Sequence, residues 1–233
     1  MGTYVIDGRI PINDVLAEWE PPLAERVYAV VAQEWTGHDI YHCLRVKALA
    51  CRIAEGEGLD REILVATSYL HDLGRGREFE GHGDHVVYGQ EQAGSILPAA
   101  GFPDAKVEAV RQCIAFHEEY AWAKSKRALP ARVRGEILGF QDADRLDAIG
   151  AVGLARMFTF GGAYHQPLWH PHVRPGHWEH GDLGSSSYTH LHEKLLKLKE
   201  TMNTATGRRI AEGRHVFMEE FAEQFEKEWM GKA

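Results

Sequence analysis

Over most of this chain apolar residues recur three and four positions apart, the spacing of one helix face, and no β-rich region interrupts them. Residues 22–35 carry Leu23, Val27, Val30 and Val31 on one face, and residues 39–56 carry Leu44, Val46, Leu49 and Ile53 before Gly56 and Gly58. Asp60 is placed to cap a third helix, in which Ile63, Ala66 and Leu70 lead to His71-Asp72 and a stop at Gly74. Residues 74–84 are polar and glycine-rich, which predicts a loop. Helical spacing resumes over 85–100, 104–119 and 131–160, with Gly150 and Gly153 marking either close packing or a break. Residues 161–187 then turn to Gly, Pro, Trp and histidine, the composition of a loop or lid. A final amphipathic segment covers 188–229, with Ser187 as its N-cap. The expectation is an all-α chain forming a single domain over residues 1–233. Its core would span about 25–160, with C-terminal helices over about 188–230 packing on it.

Composition narrows the partners. A formal net charge of -8 speaks against a nucleic-acid polymer or an anionic membrane, because both need clustered Lys and Arg. A small phosphorylated molecule needs only a few local cations. Cys43, Cys51 and Cys113 are an odd set without a CxxC pair, which argues against a disulfide framework and a structural zinc site. With neither a signal-like start nor an apolar run of roughly 18 residues, the expected compartment is the cytoplasm.

The chain holds 14 histidines, and some stand where chemistry would need them. His42 shares a helix with Arg45, His71-Asp72 closes the next one, and Asp144 lies in Gln-Asp-Ala-Asp-Arg-Leu-Asp, read as the opening of a late helix. Borderline divalent metals take imidazole nitrogen and carboxylate oxygen together, and two of each leave positions for water and substrate. A lone histidine on an apolar helix is more often a hydrogen-bonded core residue, and Arg145 and Asp147 read equally well as surface residues. The ordered set shifts the balance.

That set is His42-Cys-Leu-Arg45-Val, then Tyr-Leu-His71-Asp72-Leu-Gly, then Gln-Asp142-Ala-Asp144-Arg-Leu-Asp147-Ala-Ile-Gly. It resembles the HD superfamily of metal-dependent phosphohydrolases, and in particular its small stand-alone bacterial members. They share the stretch over 141–156 and a downstream run over 192–198 followed by Met202, Thr204 and Gly207. The resemblance spans roughly residues 25–225.

It implies a helical bundle with a divalent metal (Mn, Mg, Ni, Co or Fe) between converging helices. The implied ligands are His42, His71, Asp72 and Asp144, with Asp142 as the alternative to Asp144. His85 and His117 are the implied ligands of a second ion. Asp72 would also orient or deprotonate the attacking water. Arg75 would meet phosphate, with Arg45, Lys124 and Asp147 as further substrate contacts and Arg77 and Lys126 as other nearby cations.

The dipeptide His71-Asp72 is followed by Leu-Gly-Arg-Gly, unlike the alarmone hydrolases, and His117 is not followed by the Gly-Tyr-Pro of cyclic-di-GMP phosphodiesterases. The implied reaction is hydrolysis of a phosphoester or pyrophosphate bond in a nucleotide-like substrate, by a monomer or homodimer. Two alternatives stay open: a di-iron oxygenase and a non-catalytic sensor domain. Residues 169–180, rich in Trp and His around Arg174, read as a lid over the substrate or as an exposed or subunit-contact loop.

Overall fold

The structure is a computed structural model that describes residues 3–119, 127–176 and 185–232. Lys124, Lys126 and the second half of the Trp/His-rich stretch lie outside the described residues. The architecture is all-α apart from one small hairpin. In order the helices are α1 (Glu20–Val31), α2 (Ile40–Glu57), α3 (Arg61–Leu70), α4 (Arg75–Phe79) and α5 (His85–Ala99), followed by α6 (Asp104–Phe116), α7 (Arg134–Asp147), α8 (Gly150–Ala163), α9 (Ser187–Glu193) and α10 (Ala205–Trp229). Short 3-10 segments, Ala131–Val133 and Leu195–Thr201, precede α7 and α10.

Several boundaries depart from the expectation, each for a local reason. The hairpin pairs β1 (Tyr4–Ile6) with β2 (Ile10–Ile12) antiparallel. Asp7 and Gly8 both take positive φ, and Arg9 N–H donates to Ile6 O, the turn that Asp-Gly favours between right-twisted strands. Helix α1 starts earlier and stops sooner than the periodicity predicts, with prolines in its first turn where their missing N–H is harmless. The predicted loop over 74–84 contains α4.

The predicted helix over 131–160 is two helices. Gly150 has φ +79, a conformation costly for any side chain, so the chain breaks there and α8 leaves in a new direction. Asp144 therefore sits in the last turn of α7 and does not open a helix. Helix α8 also takes the first residues of the predicted loop over 161–187. The C-terminal segment is split into α9, a 3-10 turn and α10. Ser186, one residue before the predicted cap, accepts from Thr189 N.

Helix α3 is the axis of the fold. Every residue from Ile63 to Leu70 is buried, and α1, α2, α5, α6 and α7 all pack on it. Asp60 caps its start by accepting from Glu62 N and Ile63 N, as expected. Thr67 and Ser68 turn their hydroxyls back to Ile63 O and Leu64 O, so no polar group on this buried helix lacks a partner. One apolar cluster joins the hairpin, α1, α3, α5 and α6; a second joins α2, α7, α8, α9 and α10. Helices α2, α3 and α7 contribute to both clusters, and it is their polar ends that meet.

A buried ion pair ties the N-terminal segment to this frame. Glu20 is fully buried and takes Lys47 Nζ at 2.5 Å, Tyr69 OH at 2.8 Å and Leu16 N at 2.6 Å. Lys47 also donates to Asn13 O and Asp14 O, so both charges are fully coordinated. The three cysteines are free, as their spacing predicts, and burial pushes the Cys113 thiol up to about 12. No helix among the described residues is long and apolar enough to cross a membrane.

Candidate metal centre

The first turn of α2 presents His42, because Asp39 caps that helix by accepting from His42 N at 3.0 Å. The end of α3 presents His71 and, where the backbone leaves the helix, Asp72. The last turn of α7 presents Asp144. These three ends converge. His42 Nε2 lies 3.1 Å from His71 Nε2, and both nitrogens lie 3.4 Å from Asp72 Oδ2. Asp144 Oδ1 stands 3.7 Å from His42 Nε2 and 3.6 Å from His71 Nε2. The four atoms form one group able to hold an ion.

The residues fit a divalent metal. Donors bound at about 2.0–2.2 Å from one ion stand roughly 3.0–3.6 Å apart, close to the spacing seen here. His42 Nδ1 faces Asp147 Oδ2 at 2.8 Å. A carboxylate accepts that proton, so Nε2 is the nitrogen turned toward the Nε2 of His71 and free to bind a metal when the ring is neutral. Two imidazole Nε2 atoms turned toward one point and flanked by two carboxylates make a donor set that suits a cation, which binds as the rings give up their protons. His71 is held in place by ring packing on Phe140 at 5.1 Å and His117 at 5.3 Å.

Charge is balanced tightly around this group. Burial alone would raise the Asp72 carboxyl, but Arg75 and His71 more than reverse that and hold it well below the ordinary carboxylate range. Burial of Asp144 is likewise outweighed by the hydrogen bond and charge of His71. Burial of Asp147 is outweighed by hydrogen bonds from His42 and Arg45. All three carboxylates are therefore ionised, the state a metal ligand or ligand-orienting group needs.

A second group lies on the other side of Asp72. His85 Nε2 and His117 Nε2 are each 3.6 Å from Asp72 Oδ1, so the carboxylate faces both clusters. His117 Nδ1 is 2.7 Å from Ile114 O, a carbonyl that only accepts, and Nε2 is turned to Asp72; burial lowers the imidazole pKa, but Asp72 and Glu118 outweigh it and raise it to about 9. Both Nε2 atoms are buried without a hydrogen-bond partner. The same oxygen of Asp72 is also taken by Arg75 at 3.1 Å, and Arg75 donates to Glu78 and Glu118 besides.

The other expected residues are distributed as follows. Asp147, buried, accepts from His42, Arg45 and Arg156, so both of its oxygens are engaged by the chain. Arg45 is half-buried and lies along that carboxylate. Arg145, read as a surface residue, is buried and donates to Thr201 O and Glu119 O. Arg77 stacks over the Tyr88 ring.

Asp142 points away from the metal group. Its oxygens accept from the backbone and side chains of Asn203 and Thr204 at 2.7–3.0 Å, pinning the start of α10. Asp142→Ala is expected to cost about 2–3 kcal/mol of stability, since Asn203 and Thr204 are half-exposed and water recovers part of the loss. Metal bound per folded chain should not change. Denaturant unfolding and metal analysis on the same sample check both halves.

Two residues in the site were not anticipated. His38 Nε2 is 3.8 Å from Asp72 Oδ2. Its signal was the spacing His38-x3-His42 across a helix start. Lys194, at the end of α9, lies among the charges of Glu118, Asp144, Arg75 and Arg156. Burial lowers its ammonium to about 8, against the pull of Glu118 and Asp144. It belongs to the run over 192–198, whose role no spacing rule reveals.

Helix ends carrying paired His and Asp on a buried α3 axis define an HD-type hydrolase fold. The HD domain family matches residues 39–149, and the chain belongs to that family. Among relatives, YpgQ of Bacillus subtilis is 36% identical over 208 residues, covering 88% of this chain and 91% of YpgQ. A crystal structure of YpgQ in complex with ADP superposes with a TM-score of 0.65 at 34% identity, covering 90% of this chain and 100% of that one. An HD-superfamily hydrolase from Bacillus thuringiensis gives a TM-score of 0.68 at 32% identity, over 90% of this chain and 96% of its own. A Lactobacillus plantarum protein gives 0.74 at 27% identity, over 93% and 99%.

Proposed function

We propose that this chain is a metal-dependent phosphohydrolase that cleaves a phosphoester or pyrophosphate bond in a small nucleotide-like molecule. The observation that carries the reading is the convergence of His42 Nε2, His71 Nε2, Asp72 Oδ2 and Asp144 Oδ1 at the spacing of ligands around one ion. The ADP bound by YpgQ supports a nucleotide as the substrate class. A divalent metal held by these four residues would supply Lewis acidity, making water a nucleophile near neutral pH and polarising a phosphoryl oxygen.

The chain's own residues do the rest. Asp72 stands at the boundary of both clusters and is the group placed to orient the attacking water. Arg75 holds Asp72 Oδ1 and brings positive charge to the site. Its three carboxylate partners hold Arg75 in place beside Asp72, and a bound phosphate would compete with them for its guanidinium. Lys194 adds a second cation, and a phosphate beside it would draw its ammonium back toward full protonation. The packing of α10 on α2 and α7, with the Asp142 contacts, supports one working unit from the first helix to the last.

Asp147 orients a ligand. Through His42 Nδ1 it sets the tautomer and raises the basicity of Nε2. Asp147→Asn is expected to weaken metal affinity about 10–100-fold, read by competition with a chelating dye. Unchanged affinity would remove Asp147 from the centre.

The group formed by Asp72, His85 and His117 favours a second ion, which the di-iron oxygenase reading would require. Metal-stripped protein resupplied singly with manganese, magnesium, nickel, cobalt or iron separates the readings. Release of phosphate or pyrophosphate from a nucleotide and sugar-phosphate panel supports the hydrolase. Silence with every metal, together with two irons per chain after anaerobic purification, sinks it in favour of the oxygenase.

A further inference from the structure

The segment between α1 and α2 is built around one carboxylate. Glu34 Oε1 accepts from Thr36 N at 2.8 Å and from the Thr36 hydroxyl. Glu34 Oε2 accepts from Gly37 N at 3.1 Å and His38 N at 2.7 Å. Gly37 has φ +97, which lets three successive amides turn toward the same group. Four donors on one side chain hold His38 at a single position.

Its ring orientation follows from proton counting. The Thr36 hydroxyl has one proton, and Glu34, which cannot donate when ionised, takes it. The Thr36 oxygen is left to accept, and His38 Nδ1 lies 2.8 Å from it. Neutral His38 therefore carries its proton on Nδ1 and a lone pair on Nε2. That Nε2 faces the metal group, 3.8 Å from Asp72 Oδ2, with its ring edge-on to His42 at 5.6 Å. The His38 side chain keeps 16% exposure and Asp144 20%, whereas His42 and His71 have none, so both face the solvent side of the site.

We propose that His38 is a further catalytic residue, whose Nε2 accepts a hydrogen bond from the water that attacks phosphorus, with Glu34 and Thr36 as positioning residues that fix its tautomer. The inference rests on the hydrolase reading. A water near Asp72 that donates to His38 Nε2 keeps one lone pair directed away from the imidazole, available to the phosphorus. A His38 with its proton on Nε2 would turn a donor toward the same water and misdirect that lone pair. The Glu34–Thr36–His38 chain excludes this arrangement without contacting substrate.

The test separates this role from a fifth metal ligand and from a purely structural one. Full-length wild type, His38→Ala, Thr36→Val and Thr36→Ser are compared in three ways. Nitrogen-15 shifts of the metal-free protein read the His38 tautomer without turnover. Metal affinity is measured with manganese alone, and kcat and KM with whichever nucleotide the wild type hydrolyses. Expected are Nδ1–H in the wild type, its loss in Thr36→Val and its return in Thr36→Ser.

Thr36→Val and His38→Ala should lower kcat by about 10–100-fold, KM should stay within about threefold, and metal affinity should be unchanged. Recovery of most of kcat in Thr36→Ser would tie the effect to the hydroxyl oxygen. An Nε2–H tautomer in the wild type overturns the proposal, as does an unchanged kcat in His38→Ala. Loss of manganese binding in His38→Ala also overturns it and makes His38 a ligand. A wild type that hydrolyses nothing overturns the hydrolase reading, and the tautomer spectrum still shows separately whether the relay exists.

Discussion

Alanine at Asp72 is expected to remove metal binding and to lower kcat by at least about 10³-fold, or roughly 4 kcal/mol of transition-state stabilisation. Three losses coincide at this residue. Its Oδ2 belongs to the ligand group of His42, His71 and Asp144. Its Oδ1 faces His85 and His117 and is the anchor of Arg75. Removing the carboxylate leaves a buried guanidinium with only Glu78 and Glu118, so Arg75 is expected to shift toward them and leave the site. Metal content by elemental analysis, beside product release under saturating metal, checks the prediction. A variant that keeps both its metal and more than a tenth of the wild-type kcat would defeat the assignment of the centre.

Glu20→Gln is expected to destabilise the chain by about 3–5 kcal/mol without touching the metal ligands. Lys47 would remain 4% exposed with two backbone carbonyls and no counter-charge. The cost is that of a buried, uncompensated ammonium, which exceeds the value of the ion pair itself. Replacing both partners by apolar residues, Glu20→Leu with Lys47→Met, should therefore be less damaging than Glu20→Gln alone. Urea unfolding of the three proteins decides. A single variant no less stable than the double one would mean that water reaches Lys47.

The helical class was legible because periodicity is a local property. Each helix must bury one face, so its apolar residues repeat at its own pitch whatever lies opposite. The cap at Asp60 was legible for the same reason, since it satisfies amide groups two and three residues away, whereas the cap over α9 fell one residue earlier than predicted. The hairpin was missed, because three-residue strands are too brief for a periodicity argument and the Asp7-Gly8 turn is the one local sign of it. The break at Gly150 was ambiguous, since a glycine inside an apolar run serves close packing and reversal equally well. What resolves it is the positive φ, which depends on where α8 must go to pack on α9 and α10.

The aspartates of α7 mark the limit most clearly. Asp142, Asp144 and Asp147 are chemically identical and lie within six residues, yet one holds the residues before α10, one faces His42 and His71 and one orients His42. A helix advances about 100° per residue, so neighbours two apart point to nearly opposite sides, and only the surrounding elements say which side is the site. Arg145, on another face, is consumed by the backbone of residues 119 and 201.

By itself, then, the sequence determined the helical class, the cap at Asp60 and, through its ordered His and Asp motifs, the family to which the chain belongs. The tertiary structure alone decided which aspartate faces the His42–His71 pair, that Arg75 is shared among three carboxylates, and that His38 stands beside Asp72. The physical reason is that helix formation and capping are satisfied within a few residues. A binding site instead depends on directions and distances between groups as far apart as His42 and Asp147, which only packing on a common core can set.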